Sequence, residues 1–389
     1  MNKRSLFTFA ALVLFFSFSI CNTAYAVVSA DWTIKIFVIP PDAGWDSEEG
    51  SSIKATLTWF EKEVNQDPDG ILDHDVAFIY MEKPVTAETI VKDASIIVNS
   101  KCIAALNFAS DEINRQLVPL LGYSKIPILL SHGEEVWLMD GTLPLPNIFA
   151  LQLFRDYRTV ALIEYAKKVY TPSNENRIAI IGSRFSLNEE REATICEKLM
   201  SEMNWPVILY WTDSSTFNTF SLLQSEIESG SAGILFSYVG SMATREIWRG
   251  VRGLESPFQI WYPGIPNELF TSFNGIVFAD QSMKDIERGI FIGIKRKLWV
   301  TRVVDVKSEA AAGNAYALAS WLFKAIRNSN RVDRDVLLYF LANTEGIPFG
   351  NQTLNISNKT HRPEFRDVYI LRIMDKEYIL VDILNIKGL

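Results

Sequence analysis

Carboxylate pairs mark three short stretches of this chain: Glu48 and Glu49 in GWDSEEG, Asp111 and Glu112 in FASDE, and Glu134 and Glu135 in SHGEE. Brought together, they would form an electronegative mouth selecting a cation, an amine-bearing ligand or a metal ion. The structural alternative is that each pair opens a helix, where carboxylates complement the positive end of the helix dipole. His132 stands beside the third pair. The chain has only 3 histidines and no H-x-x-x-H spacing, so neither a metal site nor a cofactor is expected. Trp45 offers a flat ring that either stacks on a ligand or packs on the protein's own surface. There is no G-x-S-x-G, no H-E-x-x-H and no Walker loop, so the chain does not read as an enzyme.

The elements that must position these stretches alternate. Lys35 to Pro40 is a β-branched and aromatic run, the pattern of a buried strand, and Pro41, Asp42 and Gly44 break it. Ile53, Leu57, Trp59 and Phe60 then recur at helical spacing. Strands are expected at Val76–Tyr80, Cys102–Leu106 and Ile126–Leu130, with helices at Thr86–Asn99 and Asp111–Leu121 between them. The rhythm restarts with a helix at Phe154–Val169 and strands at Arg177–Ile181, Val207–Trp211, Gly233–Phe236 and Phe258–Tyr262. Between these strands the pattern predicts helices at Asn188–Met203, Ser221–Ser229 and Met242–Gly250. Such alternation means parallel sheets covered on both faces, with the post-strand loops at one edge. In open α/β sheets, that edge is where ligands bind. Helices follow at Asp285–Trp299, Ala310–Arg327 and Asp333–Asn343. Two C-terminal strands, Val368–Ile373 and Tyr378–Val381, should complete sheets already formed.

The first residues are read as an export signal rather than as part of the fold. Lys3 and Arg4 precede the apolar run Leu6–Ile20, and Ala24-Tyr25-Ala26 supplies a cleavage pattern. The formal net charge is −8, and loss of Lys3 and Arg4 makes it two units more negative. An acidic exported chain is a poor match for nucleic acid. Cys102 and Cys196 remain after cleavage and are expected to be buried and unpaired, since they fall in different halves.

Taken in order, several short patterns resemble the type I periplasmic substrate-binding proteins, the branched-chain amino-acid receptor group of ABC transporters. Pro41, Gly44, Ser47 and Gly50 keep the spacing of that family's P-x-x-G-x-x-A-x-x-G, with Ser47 in place of Ala. Asn65 and Gly70-Ile71 match the family's next features, an Asn near the end of the helix and a G-G-I turn. Phe154-Arg155 resembles the family's opening of the second lobe, and Ala315-Tyr316-Ala317 its A-Y-D-A helix, with Ala where Asp is usual. Asp333-Arg334 through Phe349-Gly350 resembles the closing helix, loop and glycine, and Val368–Ile373 the terminal strand.

The resemblance implies an α/β, two-lobed periplasmic-binding-protein type I fold, each lobe a parallel sheet flanked by helices and joined by a three-segment hinge. The expected division is 1–26 signal peptide, 27–148 with 279–345 as the first lobe, and 149–278 with 346–389 as the second. Hinge crossings would lie near Asn147–Ala150, Asn274–Phe278 and Glu345–Phe349. The implied function is a periplasmic solute receptor, working as a monomer, that closes on a small polar or aromatic-containing ligand and hands it to a membrane permease. The alternative is a ligand-sensing module that serves a signalling partner.

Three first-lobe loops should then face the cleft, contributing Trp45, Glu49, Phe108, Ser110, Gly133 and Glu134. Ser110 matches a position where amino-acid receptors hold the ligand carboxylate. Glu134 stands where Thr is common, and a carboxylate there would repel a ligand carboxylate in a low-dielectric cleft. From the second lobe, Phe185, Tyr238 and Tyr262 are expected as aromatic walls.

Overall fold

A computed structural model describes residues 33–67, 70–133, 139–140, 143–154, 156–174, 176–212, 221, 223–225, 232–252, 259–264, 273–280, 306–349, 352–375 and 377–387. The signal stretch 1–26, the helix expected at 285–299 and most of the one at 221–229 lie outside the described residues.

The first strand, β1 (Ile34–Ile39), is buried at every position except Lys35. A strand apolar on both faces belongs inside a parallel sheet with a helical layer on each side. It is followed by α1 (Glu48–Gln66), β2 (Val76–Tyr80), α2 (Ile90–Asn99), β3 (Ala104–Asn107), α3 (Asp111–Leu121) and β4 (Ile128–Leu130). A small hairpin of β5 (Met139–Asp140) and β6 (Leu143–Pro144) precedes β7 (Ile148–Ala150). The five main strands pair in parallel in the order β2-β1-β3-β4-β7. Alternation divides the side chains between two cores: Ile36 and Val38 pack with Ile53 and Leu57 of α1, while Phe37 and Ile39 pack with residues of α2 and α3.

The second unit repeats this order. Its elements are α4 (Tyr157–Val169), β8 (Arg177–Ser183), α5 (Leu187–Glu202), β9 (Val207–Thr212), β10 (Ala232–Tyr238), α6 (Ser241–Arg252), β11 (Gln259–Tyr262) and β12 (Val277–Asp280). The strands run β9-β8-β10-β11-β12, all parallel. In both sheets the second strand lies outside the first and the third on the first strand's other side. This places a topological switch point between β1 and β3, and another between β8 and β10.

The chain then returns to the first unit. Helices α7 (Glu309–Ser329) and α8 (Arg334–Ala342) and the hairpin β13 (Ile347–Phe349) with β14 (Gln352–Leu354) bury their apolar residues in the first core. Ala312, Ala315 and Ala319 are fully buried, and their small side chains let α7 pack against α1. The Ser52 hydroxyl of α1 accepts the Lys307 and Ser308 N–H groups at 3.0 and 2.8 Å, fixing where α7 begins. A short bridge of β15 (Ile356–Ser357) and β16 (Arg362–Pro363) leads to the long hairpin β17 (Phe365–Met374) and β18 (Glu377–Lys387). This hairpin adds to β12 in antiparallel fashion and extends the second sheet to seven strands.

The three stretches that the resemblance gives as hinge crossings lie within sheet strands or the first core. β7 still belongs to the first sheet because Phe149, fully buried, packs edge-on against Trp321 of α7. Asn274–Phe278 runs into β12 of the second sheet, and Ile347, Phe349 and Leu354 hold β13 and β14 in the first core. The described passages, the first and third of the three expected, therefore occupy Leu151–Phe154 and Asn355–Glu364. Cys102 and Cys196 are both buried and free. Among the described residues no helix is long and apolar enough to cross a membrane.

Candidate ligand-binding site

The β1–α1 loop is built from its turn residues. Gly44 N–H closes a turn onto Pro41 O at 2.8 Å, and Gly44 itself takes φ +77°, open to glycine at little cost. Ser47 caps α1, accepting Gly50 N–H at 3.0 Å while its hydroxyl donates to Gly44 O at 2.7 Å. A Cβ on Gly50 would sit 2.1 Å from Gly44 O, so the helix can approach the loop this closely only with glycine there.

Three loops then meet at the carboxyl edge of the first sheet. Asp42 Oδ1 accepts the Ser110 N–H at 3.0 Å, joining the loop after β1 to the loop after β3 across the switch point. Ser110 caps α3 through Ile113 N–H at 3.4 Å. Asn107 at the end of β3 donates to Asn114 Oδ1 at 2.7 Å and accepts Ala109 N–H at 2.8 Å; both asparagines are fully buried. Asn114 in turn donates to Ala109 O at 2.9 Å and to His132 O at 3.1 Å, which attaches the loop after β4. The Glu49 carboxylate lies 3.7 Å from His132 Nε2, and Asn314 of α7 donates to the Ser131 hydroxyl at 3.3 Å.

Glu48 and Glu49 occupy the first turn of α1, and Asp111 and Glu112 the first turn of α3, where the helix dipole favours them. The third pair, Glu134 and Glu135, lies outside the described residues. Among the described residues no group of three or more His, Cys, Asp or Glu is arranged to hold a metal.

The remaining sequence-derived candidates divide sharply. Trp45 is half-buried; its indole N–H donates to Met81 O at 2.6 Å and its ring meets Tyr80 edge-on at 5.3 Å, so it packs on its own unit. Phe108 is 1 % exposed and serves the first core. Ser110 and Gly133 sit on the converging loops.

In the second unit, Phe185 follows β8 with 66 % exposure, its N–H donating to the Ser183 hydroxyl at 3.2 Å. Tyr238 and Tyr262 end neighbouring strands, but Phe236 pairs with Trp261, which places Tyr262 beside Ser237 rather than Tyr238. The two tyrosines therefore point to opposite faces of the sheet and do not share a wall. Tyr238 is buried, its hydroxyl bonded to Thr159 Oγ1 at 2.7 Å, and burial holds its phenol well above the usual range. Tyr262 packs in the core on the other face, under Gly264.

Thr159 near the start of α4 bonds to the carboxyl end of β10, while β7 ends at Ala150 on the carboxyl side of the first sheet. The short stretch between β7 and α4 thus joins the carboxyl edge of one sheet to that of the other. The third passage runs alongside it. Ala150 N–H donates to His361 O at 3.0 Å, the His361 ring stacks on Phe149 at 4.5 Å, and its Nδ1 lies 3.1 Å from Ile148 O. Burial lowers the His361 pKa, which leaves the neutral ring with Nδ1–H as donor to that carbonyl.

The asparagine network, Asp42, the passage residues Gln152 and Arg362, and Arg366 of β17 were not among the sequence candidates. Asn107 carried a faint signal, a lone amide closing an apolar strand.

The sequence matches no family profile and no curated protein. Solved structures do match it over nearly its whole length. A Desulfitobacterium hafniense ABC transporter substrate-binding protein in complex with Leu is 11 % identical and superposes with a TM-score of 0.69, over 90 % of this chain and 100 % of that one. A leucine-binding protein from Thermotoga maritima gives 14 % identity and 0.63, over 90 % and 99 %. A Rhodopseudomonas palustris solute-binding protein in complex with 4-hydroxybenzoate gives 16 % and 0.65, over 92 % and 97 %. At these identities the likeness is one of fold: the chain has the two-lobed type I binding-protein architecture.

Proposed function

We propose that this chain is a periplasmic solute-binding receptor of an ABC-type uptake system, with lobes that close over a small molecule for delivery to a membrane permease. The observation that carries this reading is the short stretch between β7 and α4, which joins the carboxyl edges of two sheets whose five parallel strands share one order. Two switch-point edges brought to one hinge make a cleft between lobes. The first lobe comprises the β2-β1-β3-β4-β7 sheet with α7, α8 and the β13–β14 hairpin, and the second comprises the seven-stranded sheet with its helices. Ligand contacts from both lobes favour the closed state, which is how binding becomes a signal to the permease.

On the first lobe, Ser110, Gly133 and Glu49 lie on the loops that meet. Phe185 is an exposed aromatic directly after β8 on the second lobe. The solved relatives in complex with Leu and with 4-hydroxybenzoate carry a carboxylate ligand, so small carboxylates belong in the first panel. Amines and polyamines belong beside them because of the acidic loop residues. The test is a thermal-shift screen of amino acids, aromatic acids, amides and polyamines on the mature chain. Binding to the native state raises the Tm by mass action. A panel that leaves the Tm unmoved at millimolar concentrations would remove the receptor reading.

A further inference from the structure

We infer that Arg362 is a positioning residue linking the candidate ligand loop after β4 to the hinge, so that loop position and lobe rotation are coupled. The inference rests on the receptor reading above. Arg362 lies in the third passage and is 2 % exposed. Its guanidinium donates to Gly133 O on the loop after β4 and, at 2.9 Å, to Gln152 O in the first passage. It also lies 4.2 Å over the Phe154 ring, at the far end of that same passage. Gln152 returns the link, its Oε1 accepting Gly133 N–H at 3.4 Å. One planar cation thus touches a ligand loop and both described hinge strands. A rigid fork suits this, because it fixes two acceptors in one plane.

Arg366, four residues on, supplies an internal comparison. It is equally buried, donates to Leu151 O at 2.8 Å and lies 4.1 Å over Phe349. From the start of β17 it therefore ties the first passage to the first core, with Leu151 and Phe349 in place of the Gly133 contact. Hinge clamping and loop linkage are separable between these two arginines. When the lobes rotate about the passages, Gly133 moves with Arg362, and a solute bearing on that loop biases the rotation.

The test is amide hydrogen exchange on the unliganded full chain, comparing wild type with Arg362→Met and Arg366→Met. Arg362→Met should speed exchange at Ser131–Gly133 by about tenfold, the effect of losing a charge-assisted bond. Arg366→Met should speed exchange in the first passage and leave Ser131–Gly133 within about twofold of wild type by the same reasoning. Should Arg362→Met fail to fold, Arg362→Lys keeps the charge but cannot span both carbonyls, and should raise loop exchange severalfold at an unchanged Tm. Unchanged loop exchange in the Arg362 variants, or equal acceleration in Arg366→Met, overturns the linkage. Neither outcome depends on a ligand, so failure of the receptor reading shows separately, as absent closure in scattering with leucine, 4-hydroxybenzoate and spermidine.

Discussion

Replacing Asn114 by alanine tests how the carboxyl edge of the first sheet is held. Its side chain is fully buried and takes part in three hydrogen bonds: from Asn107 at 2.7 Å, to Ala109 O at 2.9 Å and to His132 O at 3.1 Å. Alanine removes all three and leaves the Asn107 amide and two carbonyls without those partners. A buried group left unsatisfied costs about 1–3 kcal/mol. A water entering the vacated space would recover part of that, so the net loss should be about 3–5 kcal/mol. Urea unfolding at neutral pH measures it as a lowered midpoint at constant slope. Asn107→Ala and the double variant close a cycle, in which the two changes should be strongly non-additive because they share one bond. A loss for Asn114→Ala below about 1 kcal/mol would show that the network does not hold the loops.

The Gly50→Ala substitution places a Cβ against backbone at Gly44 O and Trp45 Cα, and should cost about 2 kcal/mol or more in the same assay; a neutral result would mean that the loop yields freely. Neither Cys102 nor Cys196 should react with a thiol reagent at pH 8 in the native state. Burial raises both thiols, Cys196 to about 12, so both should react once the chain is unfolded. His361 gives a pH dependence. Burial lowers its folded pKa below the unfolded value near ~6.5, so the unfolded chain binds the extra proton first. Its contribution to stability is full above that value and is lost as pH falls below it. Tm measured from pH 8 to 5 should decline below about 6.5, and His361→Gln should flatten that part of the slope.

The fold was legible because its signals are local and periodic. Buried strands such as IKIFVI and ILL are apolar on both faces, and the turn residues Pro41, Asp42 and Gly44 mark where the first of them ends. The convergence of the three first-lobe loops followed from right-handed crossovers, and the Asp42–Ser110 and Asn114–His132 bonds show it. The side-chain roles were less legible. Trp45 and Phe108 were candidates by type and place, but one spends its N–H on Met81 O and the other fills the core. Tyr238 and Tyr262 were grouped because both end strands, yet the register of β10 and β11 sets them on opposite faces. Register is a property of pairing, and no single strand states it. Arg362 gave no signal, since a buried guanidinium is recognisable only from the carbonyls that distant segments bring to it.

Closure of the two lobes over a small solute is the property on which the receptor reading stands. Small-angle X-ray scattering of the protein, with and without each solute that raises the Tm, measures it in solution. With such a solute the radius of gyration should fall and the distance distribution should narrow. A solute that stabilises the chain while leaving the scattering unchanged would contradict closure.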